Sequence, residues 1–166
     1  MESSNPIVNS LLTPFLICRS GERTCGFPLA QVIETMRVLP VDVVPGMQPL
    51  LNGLAMIRGA LVPVVNLALL LDAATAAAAG LPTRYVTVSL GQRVVAFTVS
   101  SVVGVRQLAA DTLDTLPTLP ALINETDNGV LAAIGMLDAD LFLVLEAARV
   151  IPDALWLELD AREMCA

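Results

Sequence analysis

The sequence predicts an all-β fold built from two small barrel-like sheets, and three observations carry that expectation. Turn signals recur at short spacing along the 166 residues: Ser20-Gly21, Pro40, Pro45-Gly46, Asn52-Gly53, Gly59, Gly91-Gln92, Asn128-Gly129 and Asp138. The runs between them are rich in Val, Ile, Leu and Phe and are of strand length rather than helix length. The segment 72–82, with its run Ala76-Ala77-Ala78-Ala79-Gly80, separates an upstream from a downstream group of such runs. A chain of this length holds one domain or two small subdomains. Closing each sheet would remove the edges that so many β-branched residues leave open.

Taken in order, residues 15–19 and 24–27 read as a hairpin and residues 33–38 as a strand. Residues 54–58 and 60–66 read as two strands joined at Gly59, with Pro63 at an edge or a bulge. The clearest hairpin is 84–90 with 93–99, turning at Gly91-Gln92. Residues 102–106 add a strand, and 130–137 with 141–145 add a further pair. Short helical turns are expected at 29–32 and 67–71, and helices at 146–150 and 152–164, where Trp156 packs the tail down. The alanine run favours helix but has no amphipathic face, so 72–82 reads as a loop or a frayed helix. The organisation expected is a flexible N-terminus over 1–13, one domain over 14–151 and a helical tail over 152–166. The two subdomains would span roughly 14–72 and 83–151, with exchange of strands between them left open.

Composition narrows the function classes. Hydrophobic residues make up 55% of the chain and charged ones 15%, so apolar area must reach the surface, as on a partner-binding face. A net charge of −7 argues against a nucleic-acid footprint and against an anionic membrane surface. The run 59–71 is too short to span a bilayer and contains Pro63 and Asn66, so no membrane insertion is expected. Nor does the N-terminus carry the positive region of a secretory signal, and the expected location is the cytoplasm. The three cysteines Cys18, Cys25 and Cys165 have no metal spacing. Cys18 and Cys25 lie symmetrically about Gly21-Glu22 and could face each other across a hairpin, either as a cross-strand disulfide or, the reading favoured in the cytosol, as a reduced pair of small core residues.

Histidine is absent, which removes the usual general base, the commonest metal ligand and the phospho-acceptor of a histidine kinase. The carboxylates are scattered, Ser100 and Ser101 have no candidate base, and the glycines form no phosphate-cradling loop. The chain reads as a binding module: no catalytic residue, no metal and no cofactor is expected.

One residue stands out. From Val43 to Leu71 the only charge is Arg58. A guanidinium keeps its charge at any accessible pH and is rarely buried unless paired. Arg58 therefore either emerges among apolar side chains or meets a carboxylate from a distant part of the fold. A solvated turn arginine is the plain reading. A cation rimmed by apolar residues, with Gly59 beside it for access, is the arrangement of a protein-binding hot spot.

The same stretch, Asn52-Gly53-Leu54-Ala55-Met56-Ile57-Arg58-Gly59-Ala60-Leu61-Val62-Pro63-Val64-Val65-Asn66-Leu67, resembles the signature of the CheW family of chemotaxis coupling proteins. Gly53, Arg58, Gly59, Pro63 and Leu67 stand at matching places. The resemblance continues upstream through Phe15-Leu16-Ile17, Gly21-Glu22, Phe27-Pro28-Leu29 and Val32-Ile33-Glu34. Downstream it follows Leu90-Gly91-Gln92-Arg93, Val102-Val103-Gly104-Val105 and Gly135-Met136-Leu137. It spans about residues 14–151 in order, a whole domain.

The resemblance implies two five-stranded, SH3-like barrels around a shared apolar core. It implies an adaptor that joins the regulatory domain of a histidine kinase to the cytoplasmic tip of chemoreceptors, in flagellar chemotaxis or in a pilus-type pathway. The receptor's helical hairpin would meet Arg58, Val32, Met56 and Gly59; strand alternation allows only one of Met56 and Ile57 to face it. The kinase surface would include Glu34, Met36, Val38 and Asp42, through the loop at Pro40. Glu34 reads equally as an ordinary solvated strand residue, or as the partner of Arg58. A small-molecule-binding barrel is the reading from another class, with only Arg58 and Asn66 as polar candidates. A monomer is expected, without a fused receiver domain. Three departures each delete a charge common in the family: Asn66 for an aspartate, Ala68 for an arginine, and Ser100-Ser101 for an Asp-Gly pair.

Overall fold

A computed structural model describes residues 12–43, 45–46, 50–71, 80–109, 113–115, 131–137, 140–145, 156–157 and 160–161. The fold is all-β. Its strands are β1 (Leu12–Ser20), β2 (Arg23–Pro28), β3 (Val32–Arg37), β4 (Leu51–Ile57), β5 (Ala60–Val65), β6 (Arg84–Leu90), β7 (Arg93–Val99), β8 (Ser101–Ala109), β9 (Leu113–Thr115), β10 (Leu131–Leu137) and β11 (Asp140–Leu145). A 3₁₀ turn over Leu29–Gln31 and the short helix α1 (Leu67–Leu71) sit where helical turns were expected. Trp156, Leu157, Asp160 and Ala161 are helical. The expectations at 72–79, Asn128-Gly129, Asp138, 146–150 and Cys165 lie outside the described residues.

Two sheets form, and their membership cuts across the 14–72 and 83–151 division. One runs β8-β1-β2-β11-β10-β9, the other β3-β6-β7-β5-β4. The N-terminal hairpin thus joins the C-terminal strands, while β6 and β7 complete the sheet of β3, β4 and β5. Four pairings make this exchange: β1 with β8 and β3 with β6 are antiparallel, while Phe142 to Val144 of β11 run parallel to Thr24 to Gly26 of β2, and Val64 and Val65 of β5 to Ala96 and Phe97 of β7. β1 starts at Leu12, so residues 12 and 13 belong to the strand and not to the expected flexible N-terminus.

The five-stranded sheet closes on itself. Beyond β3 the chain returns so that Asp42 and Leu54 exchange main-chain hydrogen bonds of 2.8 and 2.9 Å, tying one edge strand to the other. Asn52-Gly53, expected as a turn, lies inside β4 and serves this closure. Gly53 has φ +145°, and a Cβ there would collide with the main-chain oxygen of Asp42. Only glycine lets the returning segment come so close. The Tyr85 hydroxyl fastens the same segment by donating to the Leu39 carbonyl at 2.9 Å.

Pro63 shows how β5 tolerates an imino acid. β5 is an interior strand, but Pro63 stands opposite Leu54, which spends both its main-chain groups on Asp42. Pro63 is therefore in a non-hydrogen-bonded pair, and pairing with β7 begins only at Val64. No ladder bond is lost.

A shared core joins the sheets. Leu16, Cys18, Cys25 and Phe27 of the first pack with Val65, Val86, Val88, Val95, Phe97 and Val99 of the second. Phe27 and Phe97 meet with ring centroids 5.1 Å apart. Cys18 and Cys25 are directly paired across the hairpin as free thiols, and burial pushes both up to about 12. At physiological pH they are neutral core residues, not nucleophiles.

Candidate functional site

Ile57 and Ala60 are paired residues, so Arg58 and Gly59 form a two-residue hairpin loop between β4 and β5. Both have positive φ, 51° and 82°. That is the type I′ geometry, which matches the twist of the flanking strands but favours Asn-Gly or Gly-Gly. Arg58 is the one non-glycine with positive φ among the described residues. A residue held in that region is retained where its side chain is needed in a particular place.

The side chain is needed at Glu34. Arg58 Nε donates to Glu34 Oε2 at 2.6 Å and Nη2 donates to Oε1 at 2.8 Å, a bidentate pair. The bond from Arg58 holds the Glu34 carboxyl below the usual glutamate range, and the carboxylate raises the guanidinium in turn. The arginine side chain remains 76% exposed and that of Glu34 24%. Arg58 is thus both emergent and paired, two outcomes the sequence had offered as alternatives. β3 and β4 are the two edges of the closed sheet, so the ion pair bridges the seam where Asp42 meets Leu54.

Glu34 is placed by a bulge. β3 and β6 shift register between Val32 and Glu34, leaving Ile33 as the extra residue. The buried Thr87 hydroxyl fills the gap, accepting from the Glu34 N–H and donating to its carbonyl, both at 3.2 Å. The bulge turns Ile33 outward, 49% exposed, beside the ion pair. Met56, two residues before Arg58 in the chain, is 60% exposed, whereas Ile57 is 6% exposed and packs in the second core cluster with Ala55, Val62, Val64 and Tyr85. Strand alternation thus gives Met56 to the surface and Ile57 to the core. Ile33 was not among the sequence candidates; a bulge leaves no periodic signature.

The remaining candidates divide. Gly59 is exposed with open space above it, Val38 is exposed, and Asp42 is exposed while its main chain closes the sheet. Val32 and Met36 are half-buried and pack against the two core clusters, so they support the surface more than they form it. Glu34 and Arg58, which the resemblance assigns to different partners, occupy a single spot.

The positions where family charges are missing have structural work. Asn66 Oδ1 caps α1 by accepting from the Leu69 N–H at 3.1 Å, a task asparagine does as well as aspartate. Ala68 is buried in α1. Ser100 Oγ accepts from the Gly21 N–H at 2.9 Å and ties the β1–β2 turn to the end of β7. None of the three belongs to the Arg58 pair. Among the described residues no group of His, Cys, Asp and Glu could hold a metal, and no helix is long and apolar enough to cross a membrane.

Residues 14–155 match the family model described as the CheW-like domain. Among solved structures, the chain is similar to the scaffolding protein TtCheW from Thermoanaerobacter tengcongensis. The TM-score is 0.67 at 15% sequence identity, over 81% of this chain and 89% of that one. No curated protein sequence matches the chain.

Proposed function

The chain belongs to the CheW-like domain family, and from that membership we propose that it is a non-enzymatic adaptor coupling chemoreceptors to a histidine kinase. The observation that carries this reading is the exposed Arg58–Glu34 pair, set on a positive-φ turn and flanked by the exposed Ile33 and Met56. Charge-assisted donors bordered by apolar side chains suit the face of a partner helix: the apolar residues bury area and the guanidinium reads an acceptor. Arg58 keeps Nη1 for that acceptor while Nε and Nη2 hold Glu34.

In this reading Arg58, Gly59 and Met56 meet the receptor tip with Ile33 added, and Val32 supports them from beneath. The kinase's regulatory domain takes the neighbouring rim through Glu34, Val38 and Asp42, backed by Met36. The adaptor is monomeric in isolation and works in the cytoplasm. Sedimentation of the purified chain with a kinase regulatory domain, and separately with a soluble receptor-tip hairpin, tests the proposal. A faster-moving complex should form with each below roughly 100 μM, the range of transient contacts. No shift with either partner at that concentration overturns it.

A further inference from the structure

Pairing between the parallel strands β5 and β7 is confined to Val64 and Val65 against Ala96 and Phe97. Upstream stands Pro63, which has no N–H with which to continue a ladder. The first residues of the two strands, Ala60 to Val62 and Arg93 to Val94, line a cleft of about 130 Å³ instead, and Trp156 and Asp160 complete its wall. Arg93 holds both of these helical residues: Nη2 donates to Asp160 Oδ2 at 3.1 Å, and Cζ lies 4.7 Å from the Trp156 ring centroid. The Trp156 ring also packs against the shared core from its margin. A cation stacked on a ring and an ion pair with both side chains partly exposed make a hold that can be released, since water and salt compete for it.

The cleft reaches the base of the Arg58-Gly59 turn. Ala60 lines it, and Ala60 is also the partner of Ile57 in the pair that closes the turn. A two-residue turn has no slack, so a shift of Ala60 carries Arg58 with it. Glu34 lies across the seam on β3, fixed separately by the Thr87 hydroxyl. A bidentate pair at 2.6 and 2.8 Å tolerates little displacement between its halves. We propose that the segment carrying Trp156 and Asp160 is a releasable strap. Docked on Arg93, it sets the spacing of the first residues of β5 and β7 and thereby the reach of Arg58 to Glu34. Strap docking and the ion pair then favour each other, and by linkage each weakens when the other is lost. The coupling concerns the geometry of the pair and stands whether or not the pair meets a receptor.

Trp156 is the only tryptophan in the chain, so its fluorescence reports docking of the strap. The Nε–H resonance of Arg58, assigned by its loss in Arg58→Ala, reports the ion pair. In Arg93→Ala the Trp156 emission should move to the red. At a temperature well below melting, the Arg58 Nε–H should then exchange with water at least about fivefold faster, the low end of ordinary coupling between two sites. Asp160→Ala removes a half-exposed side chain and should produce the same two changes to a smaller degree, which keeps the test open where Arg93→Ala does not fold. In the other direction, Arg58→Ala should lower the salt concentration at which the Trp156 emission moves. A red-shifted Trp156 with Arg58 Nε–H exchange at the parent's rate means that the segment is a structural tail only, and overturns the proposal. An unmoved emission in both folded variants overturns it as well, because Arg93 then does not hold the strap.

Discussion

At the scale of single residues, the proposed function rests on Arg58 being held without being hidden. Its side chain is largely exposed, so removing it should cost binding and leave the fold in place. Arg58→Ala is expected to weaken receptor-tip binding by about 30-fold or more, the effect of losing a hot-spot residue, while its thermal melt stays close to the parent's. A melting temperature that collapses would make Arg58 a structural residue. The same pair fixes a pH dependence. Glu34 is held below its ordinary range by the bond from Arg58, so its contribution to stability is complete at neutral pH. It is lost as pH falls past the ordinary glutamate value of about 4.3 and through the lowered folded value. The melting difference between parent and Arg58→Ala, small at neutral pH, should therefore narrow on acidification below the ordinary glutamate range. A difference that persists unchanged there would show that the pair does not titrate as described. The sequence displayed Arg58 plainly, because an isolated charge needs no structure to be noticed. It could not decide the partner, since Glu34 lies 24 residues away and no local pattern joins them.

Among the elements, β4 is where local rules and long-range constraint meet. Alternation identified the pair Met56 and Ile57 as one surface and one core residue, and the burial pattern of the strand assigns them. Ile57→Ala should lower stability by about 2–5 kcal/mol in denaturant unfolding, through lost burial and a residual cavity. Met56→Ala should change it by less than about 0.5 kcal/mol and weaken partner binding. Equal losses for both would mean that the strand is not oriented as described. Hairpins were legible because their turns are local: β1 with β2, β4 with β5 and β6 with β7 each turn at a glycine that the sequence marks. Asn52-Gly53 carries the same dipeptide signal and is not a turn. Its glycine answers to the closeness of Asp42, which is set eleven residues upstream and is invisible in the local sequence. The bulge at Ile33 escaped for a related reason, since it is defined by the pairing of β3 with β6 and by the Thr87 hydroxyl.

In the whole molecule, the decisive fact is that chain order and sheet order differ. The two groups of strands that the sequence separates at 72–82 are not the two sheets. β1 and β2 complete the downstream sheet through β11 and β8, and β6 and β7 complete the upstream one through β3 and β5. Pairings at such separation arise from shape and burial across the molecule, which is why composition and turn spacing gave the fold class but not the partition. The exchange has a consequence for cooperativity. A polypeptide ending within 72–79 would have β3, β4 and β5 without β6 and β7, and a hairpin without β8 and β11. Its core would also lose Val86, Val88, Val95, Phe97 and Val99, the residues against which Phe27 and Leu16 pack. Neither half should therefore fold alone, and the intact chain should unfold in one transition followed identically by near-UV and far-UV circular dichroism. Mixing the two halves should restore the native spectrum, because each carries strands that the other's sheet requires. A half that shows cooperative melting by itself, or an intact chain that unfolds in two separated steps, would mean that the sheets are independent units and that the shared core contributes little.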